Sequence, residues 1–416
     1  MRVYGPVPIF VGDRILAIHP DVTRGCKTRF MAGTVHSPGA SSADSLSSAR
    51  CGIVPPYLLL RLARLDDPRF AAASDAARHS LLRDAPIRDV RAPEPSPHPS
   101  ARPTKPHPAR EPATPGSPRR SVSDAVGRED LPGRLVRVEG QPPVADVTVN
   151  EAYDGLGETY SFFWSAFERD SIDGNGLPLN ATVHFGEKYD NAFWDGQRMV
   201  FGDGDGQVFN RFTVSLSVIG HELTHGVTQF TANLVYRGQS GALNESVSDV
   251  FGSLVEQKAK GQSTAEASWL IGEGLFTDEV EGNALRSMKA PGTAYNDDVL
   301  GKDPQPASMA DYVETDDDYG GVHLNSGIPN RAFYLVADSL GGNAWDAPGH
   351  IWYQTLTGGD LSATVDFAGF AEATSKTAFR LFGDGSPEHK AVASAWVTVG
   401  VTKSQSDDRT GMNSPH

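Results

Sequence analysis

The stretch from His221 to His225, which reads HELTH, constrains the fold of this chain more than any other five residues. Histidines four residues apart lie on one face of a helix, because an α-helix completes a turn in about 3.6 residues. Both rings can then hold one zinc ion at roughly 2.0 to 2.1 Å, while Glu222 stays free to act as a base. Apolar residues recur around the motif at steps of three and four, at Leu216, Ile219, Leu223, Val227 and Phe230. They predict a helix buried along one face, with its histidines directed to a cleft.

A catalytic zinc site needs a third protein ligand, and the segment from Gly241 to Ser246 supplies one. Glu245 opens a second apolar helical run, and Asp249 follows one turn later on the same face. Glu245 can therefore reach the metal while Asp249 accepts the spare N–H of a ligand histidine, which fixes the imidazole tautomer. Taken alone, either acid could be an ordinary helix charge, and the two histidines could be a hydrogen-bonded pair in a protein core.

These residues together resemble the thermolysin family of neutral metallopeptidases, and within it the protealysin-like enzymes. Further segments stand in the family's order, at Asn191 to Trp194, Met199 to Gly206, Leu285 to Met288 and Gly320 to Gly327. The similarity covers roughly residues 130 to 403. It implies an α+β fold with a β-rich N-terminal lobe and a mainly helical C-terminal lobe. The HELTH helix would join the lobes, with zinc at the floor of the cleft between them.

The resemblance implies a zinc-dependent neutral endopeptidase and gives each residue of its site a role. The implied zinc ligands are His221, His225 and Glu245, and the implied general base is Glu222. The implied donors to the tetrahedral intermediate are His323 and Tyr236. Asp318 would orient His323 and Asn244 would support His225, beside the contact already expected of Asp249. Without the family, His323 would be a lone histidine in a glycine-rich loop, and Tyr236 would pass as a packing aromatic.

The resemblance also implies how a peptide substrate is held. Arg286 should bind a substrate carbonyl, and Asn191 with the backbone of Ala192 should hold the extended chain. A hydrophobic pocket for the residue after the cleaved bond is implied at Phe209, Phe212, Val218, Ile271, Leu275 and Leu285. We therefore expect large apolar side chains to be preferred there. The alternative for all six residues is simple core packing.

Calcium is a point of departure from the better-known members of the family, which bind it through carboxylates beside the zinc site. Glu256 and Glu273 match that cluster. Residues that cannot supply a carboxylate stand at its other positions, at Ser217, Ser268 and Leu270. We therefore expect the usual double-calcium site to be largely absent, with a weak site in the acidic run from Glu314 to Asp317 as an alternative to a solvated loop.

Charge and proline content divide the chain. Residues 1–120 carry 18 Lys and Arg against 10 Asp and Glu, which leaves 19 against 42 for residues 121–416. An acidic catalytic part argues against nucleic acid as its partner, and a basic front segment would be attracted to it. The stretch 91–118 contains ten prolines in 28 residues and predicts an extended linker.

Upstream of the linker, the run from Ile53 to Ala63 begins with Pro55-Pro56 and continues as a short apolar helix. It resembles the short propeptide of protealysin-like precursors. We therefore hypothesise a zymogen that is processed between Pro115 and Val136, with Arg119-Arg120 exposed and cleavable. Its partners would be protein or peptide substrates and its own propeptide, and we expect a monomer.

The predicted domains are 1–50, disordered or preceding a true start at Met31; 51–90, a propeptide; 91–120, the linker; 121–230, the β-rich catalytic lobe with the HELTH helix; 231–403, the helical catalytic lobe; and 404–416, a tail. Both cysteines, Cys26 and Cys51, lie in the front segment, so the catalytic part relies on no disulfide. Cys51 is either a latency thiolate on the zinc or incidental.

No ordinary secretion signal is visible, because prolines and charges interrupt the opening apolar run. No stretch approaches the roughly 18 apolar residues that a membrane span needs. Members of the family usually act outside the cell, so we expect secretion by a non-classical route, with a cytoplasmic precursor as the alternative.

Three classes of function compete. A thermolysin-like endopeptidase is the only one that requires Glu222, Tyr236 and His323 together. A catalytically silent zinc-binding interaction protein would be favoured by loss of Glu222 or of the third ligand, and both are present. A zinc aminopeptidase shares the motif, and internal cleavage of a blocked peptide distinguishes it from an endopeptidase.

Overall fold

A computed structural model describes residues 52–89 and 114–403 of the chain, with only the backbone of 85–89, and a pair of short antiparallel strands, β1 (Phe10–Val11) and β2 (Arg14–Ile15). The chain divides into two compact units, Met1–Leu46 and Ser47–His416, and all further elements belong to the second. The predictions for the rest of residues 1–50, for Cys51, for most of the linker and for the tail lie outside the described residues.

The N-terminal segment of the second unit forms two helices, α1 (Pro56–Ala63) and α2 (Ala71–Asp89). Pro56 occupies the first position of α1, where a missing N–H costs nothing and the fixed φ favours a helix. Leu58, Leu59 and Leu62 are buried on the inner side of α1. The short apolar helix predicted after Pro55 is therefore present, and α2 extends the segment by 19 residues.

A five-stranded mixed sheet forms the N-terminal lobe, in the order β4-β3-β5-β7-β6. Its strands are β3 (Arg120–Asp124), β4 (Arg134–Val138), β5 (Leu179–Val183), β6 (Ala192–Trp194) and β7 (Met199–Phe201). β3 runs parallel to β5 and β5 parallel to β7, whereas β4 and β6 pair antiparallel with their neighbours. The short strand β6 lies at the edge of the sheet.

The sheet packs against helix α3 (Val147–Phe167), which the sequence pattern did not predict. The N-terminal lobe was expected to be β-rich, and this 21-residue helix interrupts its strands between β4 and β5. Asp146 caps its N-terminus by accepting a hydrogen bond from Thr148 N at 2.9 Å. Gly155 allows α3 to approach its neighbour closely, because a Cβ there would lie 2.3 Å from Ile219 Cδ1.

Two long helices, α4 (Leu216–Gln229) and α5 (Gly238–Lys260), cross at the centre of the molecule. They pack closely because Gly252 has no side chain: a Cβ there would lie 2.4 Å from Ser217 O. Glu245 lies two turns inside α5, whereas the sequence suggested that the helix begins at this residue. Four short strands follow, which are β8 (Leu270–Ile271), β9 (Arg286–Ser287), β10 (Asn296–Asp297) and β11 (Gly301–Lys302).

The C-terminal lobe is helical, as predicted. Its helices are α6 (Asp318–Asn325), α7 (Gly327–Leu340), α8 (Ala347–Thr357), α9 (Phe367–Phe382) and α10 (Pro387–Thr398). Trp352 and Trp396 stack with their ring centroids 6.2 Å apart and tie α8 to α10. One buried hydrophobic cluster joins this lobe to α4 and to the N-terminal segment, with members that include Leu58, Leu223 and Trp352.

Candidate metal centre and substrate cleft

The helices α4 and α5 bring His221, His225 and Glu245 together. The two Nε2 atoms of the histidines lie 3.0 Å apart, and each lies 3.5 Å from an oxygen of Glu245. All three side chains are buried. Among the residues that the structure describes, they are the one group of three or more histidine, cysteine or carboxylate side chains whose ligand atoms are gathered closely enough for one metal ion.

The hydrogen bonds of the two rings show that this group suits a cation. His221 Nδ1 lies 2.7 Å from Asp249 Oδ1, and His225 Nδ1 lies 2.9 Å from Asn244 Oδ1. Since an Nδ1–H donates to each oxygen, the Nε2 atoms of neutral rings present lone pairs to each other. Two ligands of tetrahedral zinc at 2.0 to 2.1 Å are about 3.3 Å apart, close to the observed separation. The group therefore fits zinc with little rearrangement.

Electrostatics favour the ligand forms of the side chains. Burial lowers the pKa of His225 to about 4, against the opposing effect of Glu245, so the ring is neutral at pH 7. Burial alone would raise the pKa of Glu245, but the neighbouring histidines, His323 first, outweigh it and lower that pKa. A neutral imidazole and an ionised carboxylate are the forms that bind a metal.

Asp249 connects the three candidate metal ligands to Arg286, which was predicted to bind the substrate backbone. Besides His221, its carboxylate accepts two hydrogen bonds from Arg286, at 2.9 and 2.8 Å, and one from Asn330 Nδ2 at 2.8 Å. Burial would raise the pKa of Asp249, but Arg286 and His221 lower it to about 2. Sequence reasoning missed Asn330, which lies 81 residues from Asp249 and carries no local signal.

Glu222 faces the edge strand of the sheet. Its side chain is buried, and its Oε2 accepts a hydrogen bond from Trp194 N, at the end of β6, at 2.9 Å. The sequence marked Trp194 as part of a family segment without giving it a contact. The predicted base therefore lies directly beside the strand that was predicted to hold the substrate.

His323 and Tyr236 approach Glu245 from the far side of the metal group. Tyr236 Oη donates to Glu245 Oε1 at 2.5 Å, and His323 Nε2 lies 3.5 Å from both Tyr236 Oη and Glu245 Oε2. Asp318 accepts from the ring of His323 at 2.7 Å and from its backbone N–H at 2.9 Å. Burial lowers the pKa of His323, but Asp318 and Glu245 raise it overall.

The backbone before His323 is unusual, because four consecutive residues from Asp318 to Gly321 have positive φ. Two of them, Asp318 and Tyr319, carry side chains, for which this conformation costs roughly 1–2 kcal/mol each. The turn brings the Asp318 carboxylate back to the histidine five residues later. Gln305, which the sequence did not indicate, also supports the turn by donating to His323 O at 2.7 Å.

A segment of the chain itself lies in the predicted substrate cleft. Gly52 pairs antiparallel with Phe193, next to β6. Ile53 N donates to Ala192 O at 3.0 Å and Val54 N to Asn191 Oδ1 at 2.9 Å.

The third contact comes from Arg286 Nη1, which donates to Ile53 O at 3.1 Å. Asn191, Ala192 and Arg286 were predicted to hold a substrate backbone. Each of them therefore contacts a backbone group of the N-terminal segment.

Helix α2 anchors this segment to the same strand. Asp84 accepts hydrogen bonds from Tyr189 Oη at 2.6 Å and from Asn191 Nδ2 at 3.1 Å. Ser80 Oγ accepts from Asp190 N at 2.9 Å. Three successive residues before β6 are therefore bound by the N-terminal segment, and this contact could not be read from local sequence patterns.

The six predicted pocket residues are all fully buried. The rings of Phe209 and Phe212 lie 5.7 Å apart, and Leu275 and Leu285 both flank Gly272. Ile271 pairs with Arg286 across β8 and β9, so part of this set lies next to the arginine that holds Ile53. Ile53 is itself fully buried. The role of the six residues in substrate preference stays a prediction.

A lysine occupies the region of the predicted calcium carboxylates. Lys260 Nζ bonds to Glu256 and lies 4.0 Å from Glu273. Ser217 Oγ accepts a hydrogen bond from Gly272 N at 3.1 Å, which turns that position to a backbone contact. The acidic run from Glu314 to Asp317 does not form a metal-type group among the described residues.

The predicted exposure of Arg119-Arg120 was wrong. Both residues are half-buried, and Arg119 O accepts a hydrogen bond from Leu179 N at 2.9 Å at the start of the sheet. Arg120 bonds to Glu139 and stacks on Tyr153, with its Cζ 3.8 Å from the ring centroid. The peptide bond between the two arginines is therefore held by hydrogen bonds at the start of the sheet, which makes it poorly placed for capture in the cleft of a protease.

None of the helices in the described part of the chain is both long enough and apolar enough to span a membrane.

Comparison with known proteins gives consistent matches. Two family models match, described as the catalytic domain of thermolysin metallopeptidase, over residues 141–229, and its alpha-helical domain, over residues 232–401. An extracellular metalloprotease of Pectobacterium carotovorum subsp. carotovorum is 50% identical, covering 84% of this chain and 96% of its own length. Protease PrtS of Photorhabdus sp. (strain Az29) is 51% identical, covering 69% of this chain and 78% of its own length. The structure of the precursor of protealysin, a metalloproteinase from Serratia proteamaculans, matches with a TM-score of 0.75 and 50% identity, covering 85% of this chain and 100% of that one.

Proposed function

The chain belongs to the thermolysin family of metallopeptidases and is a metalloendopeptidase, and we propose that it uses zinc, favours large apolar residues after the cleaved bond and is made as a latent precursor. One observation carries the proposal. The buried group of His221, His225 and Glu245 lies beside Glu222 and beside a strand that already binds an extended peptide.

The chain's own residues would divide the work as follows. His221, His225 and Glu245 would hold the ion, with Asp249 and Asn244 fixing the ring tautomers. When bound there, zinc supplies Lewis acidity, which polarises a carbonyl group and acidifies water. The remaining steps fall to side chains that face the cleft.

Glu222 is the proposed general base. Its carboxylate takes a proton from the attacking water and later gives it to the departing peptide nitrogen. The hydrogen bond from Trp194 N to Oε2 fixes the orientation of the carboxylate, and its burial excludes competing solvent. This base lies next to β6, where the substrate backbone would be aligned.

His323 and Tyr236 are the proposed donors to the carbonyl oxygen as it becomes tetrahedral. Asp318 accepts a hydrogen bond from His323 Nδ1–H and raises the pKa of the ring, which favours its charged form, so Nε2 can also carry a proton to donate. Tyr236 Oη contacts Glu245 in the precursor and would exchange this contact for the substrate oxygen. Both donors would be positioned before the reaction begins, which is the condition for a large electrostatic effect.

The N-terminal segment supports both the substrate geometry and the latency. Its backbone from Gly52 to Val54 uses the hydrogen-bonding groups that a substrate would need. A substrate must therefore displace it, and the intact precursor should be inactive. The apolar set that includes Phe209 and Leu285 supports a preference for large apolar residues next to the bond cleaved.

We also propose that the enzyme acts outside the cell, since relatives are extracellular metalloproteases, and that it leaves the cell by a non-classical route. The acidic composition of residues 121–416 argues against nucleic acid as a partner, and we propose that the enzyme acts as a monomer.

The test compares the wild-type chain with Glu222→Ala on an internally quenched peptide with blocked ends and Leu or Phe after the scissile bond. Glu158→Ala, which changes an exposed glutamate of α3, is the matched control. We expect internal cleavage by wild type and control, and its loss in Glu222→Ala and after zinc chelation, with a loss of at least about 10³-fold. A zinc-loaded, processed wild-type chain that leaves the blocked peptide intact would refute the proposal.

A further inference from the structure

We infer that Gln229 is a positioning residue for peptide hydrolysis, because it holds Trp194 and thereby fixes the edge strand β6 relative to Glu222. The inference rests on the proposed function, in which Glu222 is the general base and β6 aligns the substrate. It assigns a purpose to a glutamine that no family segment or metal contact singled out.

Trp194 contacts helix α4 at two points. Its backbone N–H donates to Glu222 Oε2 at 2.9 Å, and its indole Nε1–H donates to Gln229 Oε1 at 3.1 Å. Trp194 and Glu222 are almost fully buried, which shields the first hydrogen bond from water, whereas Gln229 is half-buried at the edge of the contact. The last residue of β6 is therefore hydrogen-bonded to two side chains of α4.

The sequence of α4 makes this double contact geometrically natural. Glu222 and Gln229 are seven residues apart, so they lie on the same face, about 10.5 Å apart along the axis. Gly226 lies between them and leaves room for the indole ring. A Cβ there would approach Trp194 Cε2 to 3.3 Å and Ile172 Cγ2 to 2.5 Å. The face of α4 is thus shaped to receive Trp194.

The two hydrogen bonds of Trp194 fix the distance between the substrate backbone on β6 and the carboxylate of Glu222. The carbonyl oxygen of Ala192, two residues before Trp194, accepts a hydrogen bond from the backbone N–H of Ile53. It would accept the same bond from a substrate N–H. With both hydrogen bonds, β6 cannot pivot on α4. Without the Gln229 bond, the pairing with β7 and the Glu222 bond still hold β6, but a small rotation of its end relative to α4 would carry the substrate backbone away from the base.

The experiment uses Gln229→Ala, Trp194→Phe and the double variant, each made as the full-length chain, activated by removal of its N-terminal segment and measured with the quenched peptide. Either single change should lower kcat about 10-fold, since a misplacement near 1 Å can cost up to roughly 10²-fold. KM should stay within about two-fold, because Asn191 and Arg286 still hold the backbone. The double variant should be no slower than either single one, since both remove the same hydrogen bond.

Gln229→Glu provides the rescue, because a carboxylate oxygen replaces Oε1 as the acceptor. It should restore most of the kcat. The indole N–H resonance of Trp194, identified by its loss in Trp194→Phe, should move upfield in Gln229→Ala and return in Gln229→Glu. Gln197→Ala, an exposed glutamine three residues from Trp194, is the matched control and should change none of these quantities.

Wild-type kcat in Gln229→Ala would overturn the inference, and so would a kcat loss that merely follows loss of bound zinc or a lower melting temperature. Additive losses in the double variant would overturn it as well. If the activated wild-type chain itself fails to cleave the peptide, the proposed function fails. An active wild type with an unaffected Gln229→Ala refutes the inference alone.

Discussion

Replacing Ile53 with alanine should make the uncut precursor measurably active. Ile53 is fully buried, and its backbone N–H and carbonyl are bound by Ala192 and Arg286. The substitution keeps both backbone contacts and removes three buried carbon atoms. At about 0.8 kcal/mol for each, the contact of the segment with the cleft weakens by about 2.4 kcal/mol.

This free energy corresponds to about a 50- to 60-fold increase in the fraction of precursor whose cleft is open, at 1.4 kcal/mol per factor of ten. As long as that fraction is small, the initial rate of the intact precursor on the quenched peptide should rise by the same factor. The rate is measured over the first minutes, with N-terminal sequencing before and after to show that the chain has not been cut.

Leu60→Ala is the matched control, because Leu60 lies on α1 of the same segment and is 40% exposed. Its precursor should stay as latent as wild type. An Ile53→Ala precursor whose initial rate remains within about two-fold of wild type would contradict the reasoning, since apolar burial would then contribute nothing to latency. Equal activation by both variants would mean that general loosening of α1 opens the cleft.

Two further outcomes follow from side chains away from the zinc group. The hydrogen bonds that His184 donates to Asp203 and Asp146 raise the pKa of its ring to about 9, so its contribution to stability is complete below pH 6.5 and disappears as the pH rises through 9. In denaturant unfolding, His184→Asn should be less stable than wild type by about 1–2 kcal/mol at pH 6, after allowance for solvent screening, and equally stable at pH 10. A stability difference that does not change with pH would contradict an origin in the charge of His184. The ammonium group of Lys260 should take the place of a calcium ion between Glu256 and Glu273. Calcium or a calcium chelator should therefore leave the melting temperature of wild type unchanged. Lys260→Met should lose up to about 1 kcal/mol of folding stability and regain it with added calcium. A wild-type melting temperature that falls on chelation, with zinc retained, would refute the second expectation.

The parts of the site that could be predicted from sequence are those set by helix periodicity. His221 and His225 face the same way because four residues nearly complete a turn, and Asp249 follows Glu245 for the same reason. A hydrogen bond from one of the ligand histidines to Asp249 was predicted on this basis, and His221 donates it. The catalytic roles of these residues stay predictions that the proposed experiments address.

What sequence could not supply depends on contacts between distant segments. Asn330 and Gln305 hold Asp249 and His323 across 81 and 18 residues, and no local pattern marks an amide that will meet a particular partner. The exposure expected for Arg119-Arg120 failed for a similar reason. The charge suggested a surface position, but the residues lead into a strand whose partners come from residues 134–138 and 179–183.

Helix α3 was missed because its buried face is broad and includes residues that weaken a helical signal. The sheet packs on one side of this face and α4 on another, and Gly155, Gly157 and Thr159 stand in it among the apolar residues. The exposed positions, which include Glu158, form only a narrow strip. Helix α4 was predicted to be buried along one face, but it is buried from Ser217 to Thr228 without interruption, because the sheet, α3 and α5 all pack on it.

The position of β6 at the edge of its sheet has a consequence for solubility. An uncovered strand edge presents unpaired backbone groups, which can template self-association between copies of a chain. An enzyme that aligns substrates on such an edge must leave it accessible. In the structure, Gly52 and Ile53 cover it. Under the proposed activation, removal of this segment would exchange colloidal stability for substrate access, and the three-residue length of β6 would limit how far aggregation can propagate from the activated enzyme.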